Sequence, residues 1–278
     1  MNVLLMGARG QLGVDLTAAL SPEHAVTAWD VTELDITDLD AVIRAVRAQK
    51  PDLILNAAAY TDVDGCESHQ ELAYRVNAIG PRNLAIGALE TDASLLHIST
   101  DFVFDGETDT PYLEFDPVNP QSVYGKSKLA GEQAIREISP RHYILRTAWL
   151  YGHNGHNFVK TMLRLAGERD SISVVNDQVG TPTTTADLIE AIKAVMGSGA
   201  YGTYHATCEG ACSWYDFAVA IFDYAGVSVK VEPTSTEALG RPAKRPAYSV
   251  LANFMLENQL HVSLRDWESA LCAYMKNS

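Results

Sequence analysis

Apolar runs alternate with amphipathic stretches along the first half of the chain. The run 2–6 ends at Gly7, and the next segment carries Leu12, Leu16 and Leu20 at helical spacing. Further strands are predicted at 25–30, 51–59, 94–100 and 142–152, and further helices at 39–49, 71–89 and 122–138. This alternation predicts right-handed βαβ units and a parallel sheet with helices on both faces.

The second half of the chain is less regular and is predicted to be mainly helical. Helices are predicted at 157–168, 185–196, 213–226 and 263–275, with a strand and a loop at 171–183. The stretch 233–249 is rich in proline and locally basic in an otherwise acidic chain, which makes it a candidate substrate loop.

Composition and charge narrow the classes of function. The chain has 278 residues, of which 47% are hydrophobic and 20% charged, as in ordinary globular proteins. Its net charge of −14 opposes binding to nucleic acid or to an anionic membrane. We expect no signal peptide and no membrane span, because no apolar run approaches the roughly 20 residues that cross a bilayer. The four cysteines match neither a disulfide framework nor a zinc site, so we expect a cytoplasmic protein.

Three glycines follow the first predicted strand with the spacing GxxGxxG, at Gly7, Gly10 and Gly13. Glycine at these positions permits a tight turn and lets a pyrophosphate approach the start of the helix. Asp30 ends the second strand and is suited to accept hydrogen bonds from an adenosine ribose, which favours NADH. Arg9 lies within the loop and is suited to pair with the 2′-phosphate of NADPH, so both coenzymes stay open.

The third predicted strand ends in small residues, Ala57, Ala58 and Ala59, which leave room for a flat cofactor. Together with the glycine loop they predict an α/β fold with a doubly wound, Rossmann-type parallel sheet. We expect this dinucleotide-binding domain to cover 1–146 plus about 171–198. A smaller, mainly helical substrate domain is expected to cover about 147–170 plus 199–278.

Tyr124 and Lys128 lie four residues apart in a predicted helix, so their side chains share one face. An ammonium beside a phenol stabilises the phenolate and lowers the pKa of the tyrosine, which suits acid–base catalysis near neutral pH. Ser99 and Thr100 end the preceding strand, where a hydroxyl can hold a carbonyl oxygen near the phenol. In combination with the glycine loop, this set predicts a nicotinamide-dependent oxidoreductase.

These motifs resemble the extended short-chain dehydrogenase/reductase superfamily over the first half of the chain. More narrowly, the chain resembles the dTDP-4-dehydrorhamnose reductase family along nearly its whole length. The matching segments are LDITD (34–38), NAAAYTDVD (56–64), STDFVFDG (99–106), VYGKSKLAGE (123–132), RTAWLYG (146–152) and DQVGTPT (177–183).

The resemblance implies reduction of the 4-keto group of dTDP-6-deoxy-L-lyxo-4-hexulose to dTDP-L-rhamnose by NADH or NADPH, the last step of dTDP-rhamnose biosynthesis. It implies that Tyr124 protonates the forming alkoxide, and that Lys128 tunes Tyr124 and holds the cofactor ribose. With the residues deduced above, the cofactor set is Gly7, Arg9, Gly10, Gln11, Leu12, Gly13, Asp30, Asp35, Ile36, Ala57, Ala58, Ala59, Tyr60, Ser99, Tyr124 and Lys128. The implied substrate set is Thr100, Asp101, Phe102, Trp149 and Arg245, of which Thr100 is also catalytic and Arg245 meets the diphosphate.

Two alternatives stay open beside this interpretation. A nucleotide-sugar epimerase shares the same catalytic trio, and a protein resembling this family serves as the β regulatory subunit of methionine adenosyltransferase. Assembly as a homodimer is also left open. We assign no metal site, although Asp15 and Glu190 are candidate cation ligands at a dimer interface.

Several further residues have plain structural interpretations at this stage. Asp62, Asp64 and Glu67 form an acidic cluster that is interpreted as a solvated helix start. His97 is interpreted as a core histidine and Trp214 as a core residue of an amphipathic helix.

Overall fold

A computed structural model describes residues 1–276 of the chain. The strands are β1 (Asn2–Met6), β2 (Ala25–Trp29), β3 (Leu53–Asn56), β4 (Ser94–Thr100), β5 (His142–Thr147), β6 (Leu150–Tyr151), β7 (Ser171–Val175), β8 (Val179–Gly180), β9 (Thr183–Thr184), β10 (Gly202–His205), β11 (Cys212–Ser213) and β12 (Lys230–Thr234). The helices are α1 (Gln11–Leu20), α2 (Leu39–Gln49), α3 (Val63–Ser68), α4 (Gln70–Tyr74), α5 (Gly80–Thr91), α6 (Val123–Ile138), α7 (Phe158–Ala166), α8 (Thr185–Val195), α9 (Trp214–Ala225), α10 (Thr236–Leu239), α11 (Phe254–Leu260) and α12 (Trp267–Lys276). Among these helices, none is both long and apolar enough to cross a membrane.

Six strands form one parallel sheet in the order β10-β5-β4-β3-β1-β2. The predicted α/β class with a doubly wound parallel sheet is confirmed. The chain runs from β1 outward to β2 and then returns to place β3 on the other side of β1. The carboxyl ends of β1 and β3 therefore flank a crevice of the kind in which such sheets bind ligands.

Alternate residues of β1 enter two different cores. Val3 and Leu5 pack with leucines of α1 and α8 on one face of the sheet. Leu4 and Met6 pack with α2 and α5 on the other face. Side chains alternate across a strand, so a central parallel strand needs an unbroken apolar run, and the sequence 2–6 supplies one.

A further core lies beside the sheet, where α7, α9 and α12 surround Phe217 and Trp267. The parallel pair of β7 and β12 closes one side of this core. We call α7, α9, α12, β7 and β12 together the smaller layer. The structure thus places 171–175 in the smaller layer, whereas we expect that segment in the dinucleotide-binding domain. Conversely, β10 extends the main sheet and α11 contributes to its core, although both fall within 199–278. A strand of four residues such as β10 carries too little periodicity to be recognised.

The predicted helix 71–89 contains a π-helical turn at Arg75–Ile79. The turn directs Asn77 inward, where its side chain bonds the backbone N–H and carbonyl of Tyr60 at 2.8 and 3.0 Å. The same amide donates to the Ser127 hydroxyl on α6 at 3.1 Å. A wider turn at this place therefore ties the end of β3 to the helix that carries the predicted catalytic residues.

A buried ion pair joins α6 to the sheet. Glu132 is 0% exposed and accepts two hydrogen bonds from Arg146 of β5, which is 2% exposed, at 3.0 and 2.8 Å. Arg136 also pairs with this carboxylate at 2.7 Å. Burial raises the pKa of Glu132, but Arg146, Arg136 and the Ser99 hydroxyl together lower it more, so the pKa lies below its usual value.

We expect Glu132→Gln to lower the free energy of unfolding by about 3–5 kcal/mol, because it leaves a buried guanidinium without its counter-charge. Urea denaturation followed by circular dichroism measures the loss. The matched control is Glu168→Gln, which breaks the exposed pair with Arg164 and should cost less than about 1 kcal/mol. Equal losses in the two variants would contradict this interpretation of the buried pair.

Candidate active site

The glycine loop is held in direct backbone contact with its neighbours. Gly7 has φ of 78°, and a Cβ there would lie 2.6 Å from the backbone nitrogen of Ala58. A Cβ on Gly13 would collide with the Gly7 carbonyl oxygen. The first hydrogen bond of α1 is donated by Val14 to the Gly10 carbonyl at 3.1 Å, so the N–H groups before it point out of the helix end. The turn is therefore built to receive an anion.

A cleft of about 450 Å³ opens at this turn, between the carboxyl ends of β1, β2 and β3. The sequence-predicted cofactor residues that line it are Gly7, Arg9, Gly10, Asp30, Asp35, Ile36, Ala57, Ala58, Ala59 and Tyr60. Sequence reasoning missed Met6, Val31, Leu34, Thr37 and Val76, which complete the lining. Four of them are apolar and carry no chemical signal of their own, and only the fold brings these four and Thr37 to the cleft.

Two members of the predicted cofactor set point elsewhere. The Leu12 side chain is buried in the core between α1 and the sheet. The Gln11 amide donates to the Leu150 carbonyl at 3.1 Å, and its oxygen accepts from Asn157 at 2.9 Å. Only the backbone N–H groups of these two residues are left for a cofactor phosphate.

Arg9 and Asp30 meet at the outer rim of the cleft. The Asp30 carboxylate accepts from the backbone N–H groups of Arg9 and Val31 at 2.9 and 2.8 Å. The Arg9 guanidinium donates to the Thr32 hydroxyl at 2.8 Å and pairs with Glu33. The carboxylate and the guanidinium therefore occupy the same rim, where a ribose or a 2′-phosphate would reach them.

Thr100 and Tyr124 converge at the end of β4. The Thr100 hydroxyl donates to Asp101 at 2.9 Å and accepts from the Phe102 N–H at 3.2 Å. Tyr124 lies in the first turn of α6, edge-on to the Phe102 ring at 5.4 Å between centroids. Burial raises the pKa of Tyr124 above its usual value, and the hydrogen bond with Thr100 opposes this only in part. A Cβ on Gly125 would collide with the Phe102 carbonyl oxygen, so glycine permits this close contact.

Lys128 lies one turn further along α6 and is buried beneath the end of β4. Its Nζ donates to the Ile98 carbonyl at 2.7 Å and lies 3.2 Å from His97 Nε2. Burial lowers the pKa of Lys128 to about 8. His97 is a core histidine as predicted, but it also contacts the lysine of the predicted catalytic set.

The Ser99 hydroxyl has a partner outside the cleft, and the assignment of Ser99 to the cofactor stays a prediction. Its hydroxyl donates to the buried Glu132 carboxylate at 2.6 Å. Successive residues of a strand face opposite sides of the sheet, so Ser99 and Thr100 cannot both present their hydroxyls to the cleft. Of the two, Thr100 is the one near Tyr124.

The acidic cluster after β3 lies at the start of a helix, α3, as predicted, but Asp64 and Glu67 are engaged in contacts rather than simply solvated. Asp62 caps α3 by accepting from the Gly65 N–H at 2.9 Å. Asp64 accepts two hydrogen bonds from Arg245, both at 3.0 Å, and one from Arg241 at 3.1 Å. These arginine contacts outweigh burial and lower the pKa of Asp64 to about 2.

Glu67 also has a defined partner. Its carboxylate accepts from the Val123 N–H at 2.8 Å and so holds the first residue of α6. The six-residue helix α3 thus contacts the predicted catalytic helix through Glu67 and the candidate substrate loop through Asp64. The sequence carries no signal for these contacts, because Asp64 and Arg245 are 181 residues apart.

Trp149 follows the carboxyl end of β5 and packs against the core formed by α7, α9 and α12. Its φ of 46° is unusual for a bulky residue, and its ring stacks on Trp214 at 3.6 Å between centroids. A Cβ on Gly180 would lie 2.5 Å from the Trp149 ring. The loop 245–249 is joined to β8 here, because Val179 donates to the Ala247 carbonyl at 2.8 Å. Trp149 and the substrate loop therefore border one another.

The candidate cation ligands have partners within the chain. Asp15 accepts from Asn154 at 2.6 Å and from Thr185, and Glu190 pairs with Lys193 at 3.3 Å on the surface. Over residues 1–276 no group of three or more His, Cys, Asp or Glu side chains is placed to hold a metal ion.

Comparison with known proteins identifies the family. The model of the RmlD substrate binding domain matches residues 1–278. The dTDP-4-dehydrorhamnose reductase of Aggregatibacter actinomycetemcomitans is 43% identical over 97% of this chain and 97% of its own. The crystal structure of a dTDP-4-dehydrorhamnose reductase from Clostridium acetobutylicum is 50% identical, with a TM-score of 0.97, and covers 100% of this chain and 99% of that one. The enzyme from Bacillus anthracis in complex with NADP is 44% identical, with a TM-score of 0.98 and the same coverage. The chain belongs to the RmlD substrate binding domain family, to which the sequence motifs had pointed.

Proposed function

We propose that this protein is an NADH- or NADPH-dependent reductase that converts dTDP-6-deoxy-L-lyxo-4-hexulose to dTDP-L-rhamnose, the last step of dTDP-rhamnose biosynthesis. The observation that carries the proposal is the convergence of Thr100, Tyr124 and Lys128 at the end of β4, beside the glycine-lined cleft. The relatives of 43–50% identity that cover nearly the whole chain bear the name of this activity.

The cleft fits a nicotinamide dinucleotide. The turn at Gly7 leaves no room for a Cβ, and the start of α1 presents free N–H groups where a pyrophosphate would lie. Asp35 and Ile36 would border the adenine, Ala58 and Tyr60 the middle of the dinucleotide. When bound, the reduced nicotinamide supplies the hydride for the keto carbon.

Tyr124 is suited to donate the proton. Its phenol is protonated at neutral pH and carries a proton for the forming alkoxide, although burial raises its pKa rather than lowering it as expected from Lys128. Thr100 would hold the substrate carbonyl oxygen beside this phenol. Asp101 is buried next to Thr100, where burial raises its pKa to about 6.

The substrate would lie between the end of β4 and the loop 241–249. Arg245 is suited to bind the diphosphate, because a guanidinium forms paired hydrogen bonds with phosphate oxygens. Asp64 fixes this arginine and the backbone N–H of Ala243 in the loop. Trp149 would pack on the sugar from the smaller layer.

The cellular setting and the assembly state complete the proposal. We assign the enzyme to the cytoplasm, in keeping with the buried free thiols of Cys66, Cys208 and Cys212. Assembly as a homodimer stays a prediction, which light scattering on the purified protein can test.

Tyr124→Phe removes the proposed proton donor and should lower kcat by about 10²–10⁴-fold. The assay is coenzyme oxidation at 340 nm with the 4-keto sugar nucleotide, with the product identified by chromatography. Cofactor binding, followed by fluorescence, should be retained. Tyr224→Phe, at an exposed position on α9, is the control and should leave kcat unchanged. Full activity in Tyr124→Phe, or no coenzyme oxidation by the wild type, would refute the proposal.

Arg245→Gln should raise KM for the sugar nucleotide by about 10–100-fold, because it removes a charge-assisted hydrogen bond to the diphosphate. KM for the coenzyme should stay unchanged. Arg44→Gln, on the exposed side of α2, is the matched control. Steady-state kinetics with each reactant varied in turn separates the two constants, and a rise confined to the coenzyme KM would contradict the assignment of Arg245.

Arg9→Gln should lower kcat/KM for NADPH by about tenfold or more, because the guanidinium at the rim is lost as a partner of the 2′-phosphate. NADH, which lacks this phosphate, should be used as well as before. The ratio of oxidation rates for the two coenzymes measures the effect. An unchanged ratio would mean that Arg9 stays with Thr32 and Glu33 when the coenzyme binds.

A further inference from the structure

Three buried polar side chains form a line behind the proposed catalytic site. Asn56 ends β3, His97 lies on β4 and Lys128 on α6, and none is more than 2% exposed. Asn56 Nδ2 lies 3.0 Å from His97 Nδ1, and His97 Nε2 lies 3.2 Å from Lys128 Nζ. The mechanism above uses only the lysine.

The backbone fixes the orientation of Asn56. The Ala58 N–H donates to Asn56 Oδ1 at 3.1 Å, and a backbone N–H can only donate, so the oxygen must face Ala58. The amide NH₂ therefore faces His97 Nδ1, which must accept. Burial lowers the pKa of His97 well below its usual value, so the imidazole is neutral. A neutral imidazole that accepts at Nδ1 carries its proton on Nε2.

The Nε2–H of His97 then points at Lys128 Nζ. An ammonium has three N–H groups and no lone pair, so a charged lysine would set one donor against another at 3.2 Å. A neutral amine has a lone pair that accepts from Nε2–H, while one of its two N–H groups donates to the Ile98 carbonyl. The neutral amine is the state that satisfies all of these contacts.

The other ionisable groups around Lys128 do not remove the preference for a neutral amine. Glu132, one turn along α6, favours the ammonium, but its carboxylate is already paired with Arg146 of β5 and with Arg136. Cys66 of α3 and Asp101 after β4 act on Tyr124, where both raise the pKa of the phenol. The contact with His97 of β4 is therefore the one that opposes a proton on Lys128 most directly.

We propose that His97, oriented by Asn56, is a positioning residue that offers its Nε2–H to Lys128 and so favours the neutral amine form of that side chain in the ligand-free protein. The consequence for catalysis rests on the proposed function. If the reaction needs the ammonium, activity falls as the pH rises through the pKa of Lys128, which is about 8. Together with burial, His97 thereby helps to set the alkaline limit of activity.

The tautomer of His97 is the first test, made on ligand-free protein labelled with ¹⁵N-histidine. Long-range ¹H–¹⁵N NMR, with the signal assigned by its loss in His97→Gln, should show a neutral ring protonated at Nε2. Asn56→Asp replaces the donating amide with an accepting carboxylate, so His97 should then carry a proton on Nδ1. A wild-type ring protonated at Nδ1 would overturn the proposal.

The titration of Lys128 is the second test, followed by the ¹³Cε signal of labelled lysine and assigned with Lys128→Met. His97→Gln offers a carbonyl to the ammonium, so the pKa of Lys128 should rise by about 1–2 units. Asn56→Asp should shift it in the same direction. His142→Gln, which alters a half-buried histidine at the start of β5, is the control and should leave it unchanged. A Lys128 pKa unaltered in both folded variants would overturn the proposal.

The pH profile of kcat/KM links this result to the reaction. In His97→Gln the alkaline limb should move to higher pH, by the same amount as the pKa of Lys128. A merely structural role would instead lower kcat/KM at every pH. These measurements distinguish a failure of this inference from a failure of the proposed function. An active reductase with His97 protonated at Nδ1 overturns only this inference, and an inactive protein with the Nε2 tautomer overturns only the proposed function.

Discussion

Backbone-to-backbone contact at the carboxyl edge of the sheet is the constraint on which the whole site depends. Gly7 touches the end of β3, Gly13 touches the glycine turn, and Gly125 touches the turn after β4. A Cβ at any of the three would push two elements apart. The cleft and the phenol are therefore positioned by main chain, which is less mobile than side chains and suits the tolerance of roughly 0.5 Å that catalysis demands.

Helix α6 carries two buried ionisable groups, Glu132 and Lys128, and their surroundings favour the charged form of the first and the neutral form of the second. Glu132 keeps its charge, because two guanidinium groups and a hydroxyl surround the carboxylate. Within residues 1–276 no carboxylate pairs with Lys128, whose polar neighbours are a carbonyl and an imidazole. Burial without a counter-charge favours the neutral form, so its pKa falls. One turn of helix thus separates a permanent structural charge from a group that can gain or lose a proton.

The sequence predicted the parallel sheet, most element positions and the set of Thr100, Tyr124 and Lys128, because these depend on local periodicity and on short motifs. The sequence did not predict features that depend on how distant segments pack together. Ser99 and Thr100 are adjacent hydroxyls, and only the register of β4 tells which one faces the cleft. The pairing of β7 with β12 and of β10 with β5 was not predicted, because a short strand does not reveal its partner.

Helix α3 shows most clearly why such contacts escape sequence analysis. Six residues are too few for a helix to be stable alone, so α3 exists through the contacts that it makes. Its buried Cys66 anchors it, while Glu67 holds the first residue of α6 and Asp64 holds Arg245. Each carboxylate alone looks like an ordinary solvated charge in an acidic protein. In the folded chain they join α6, the proposed catalytic helix, to the loop 241–249, the proposed substrate loop, so the short helix α3 fixes the position of one relative to the other.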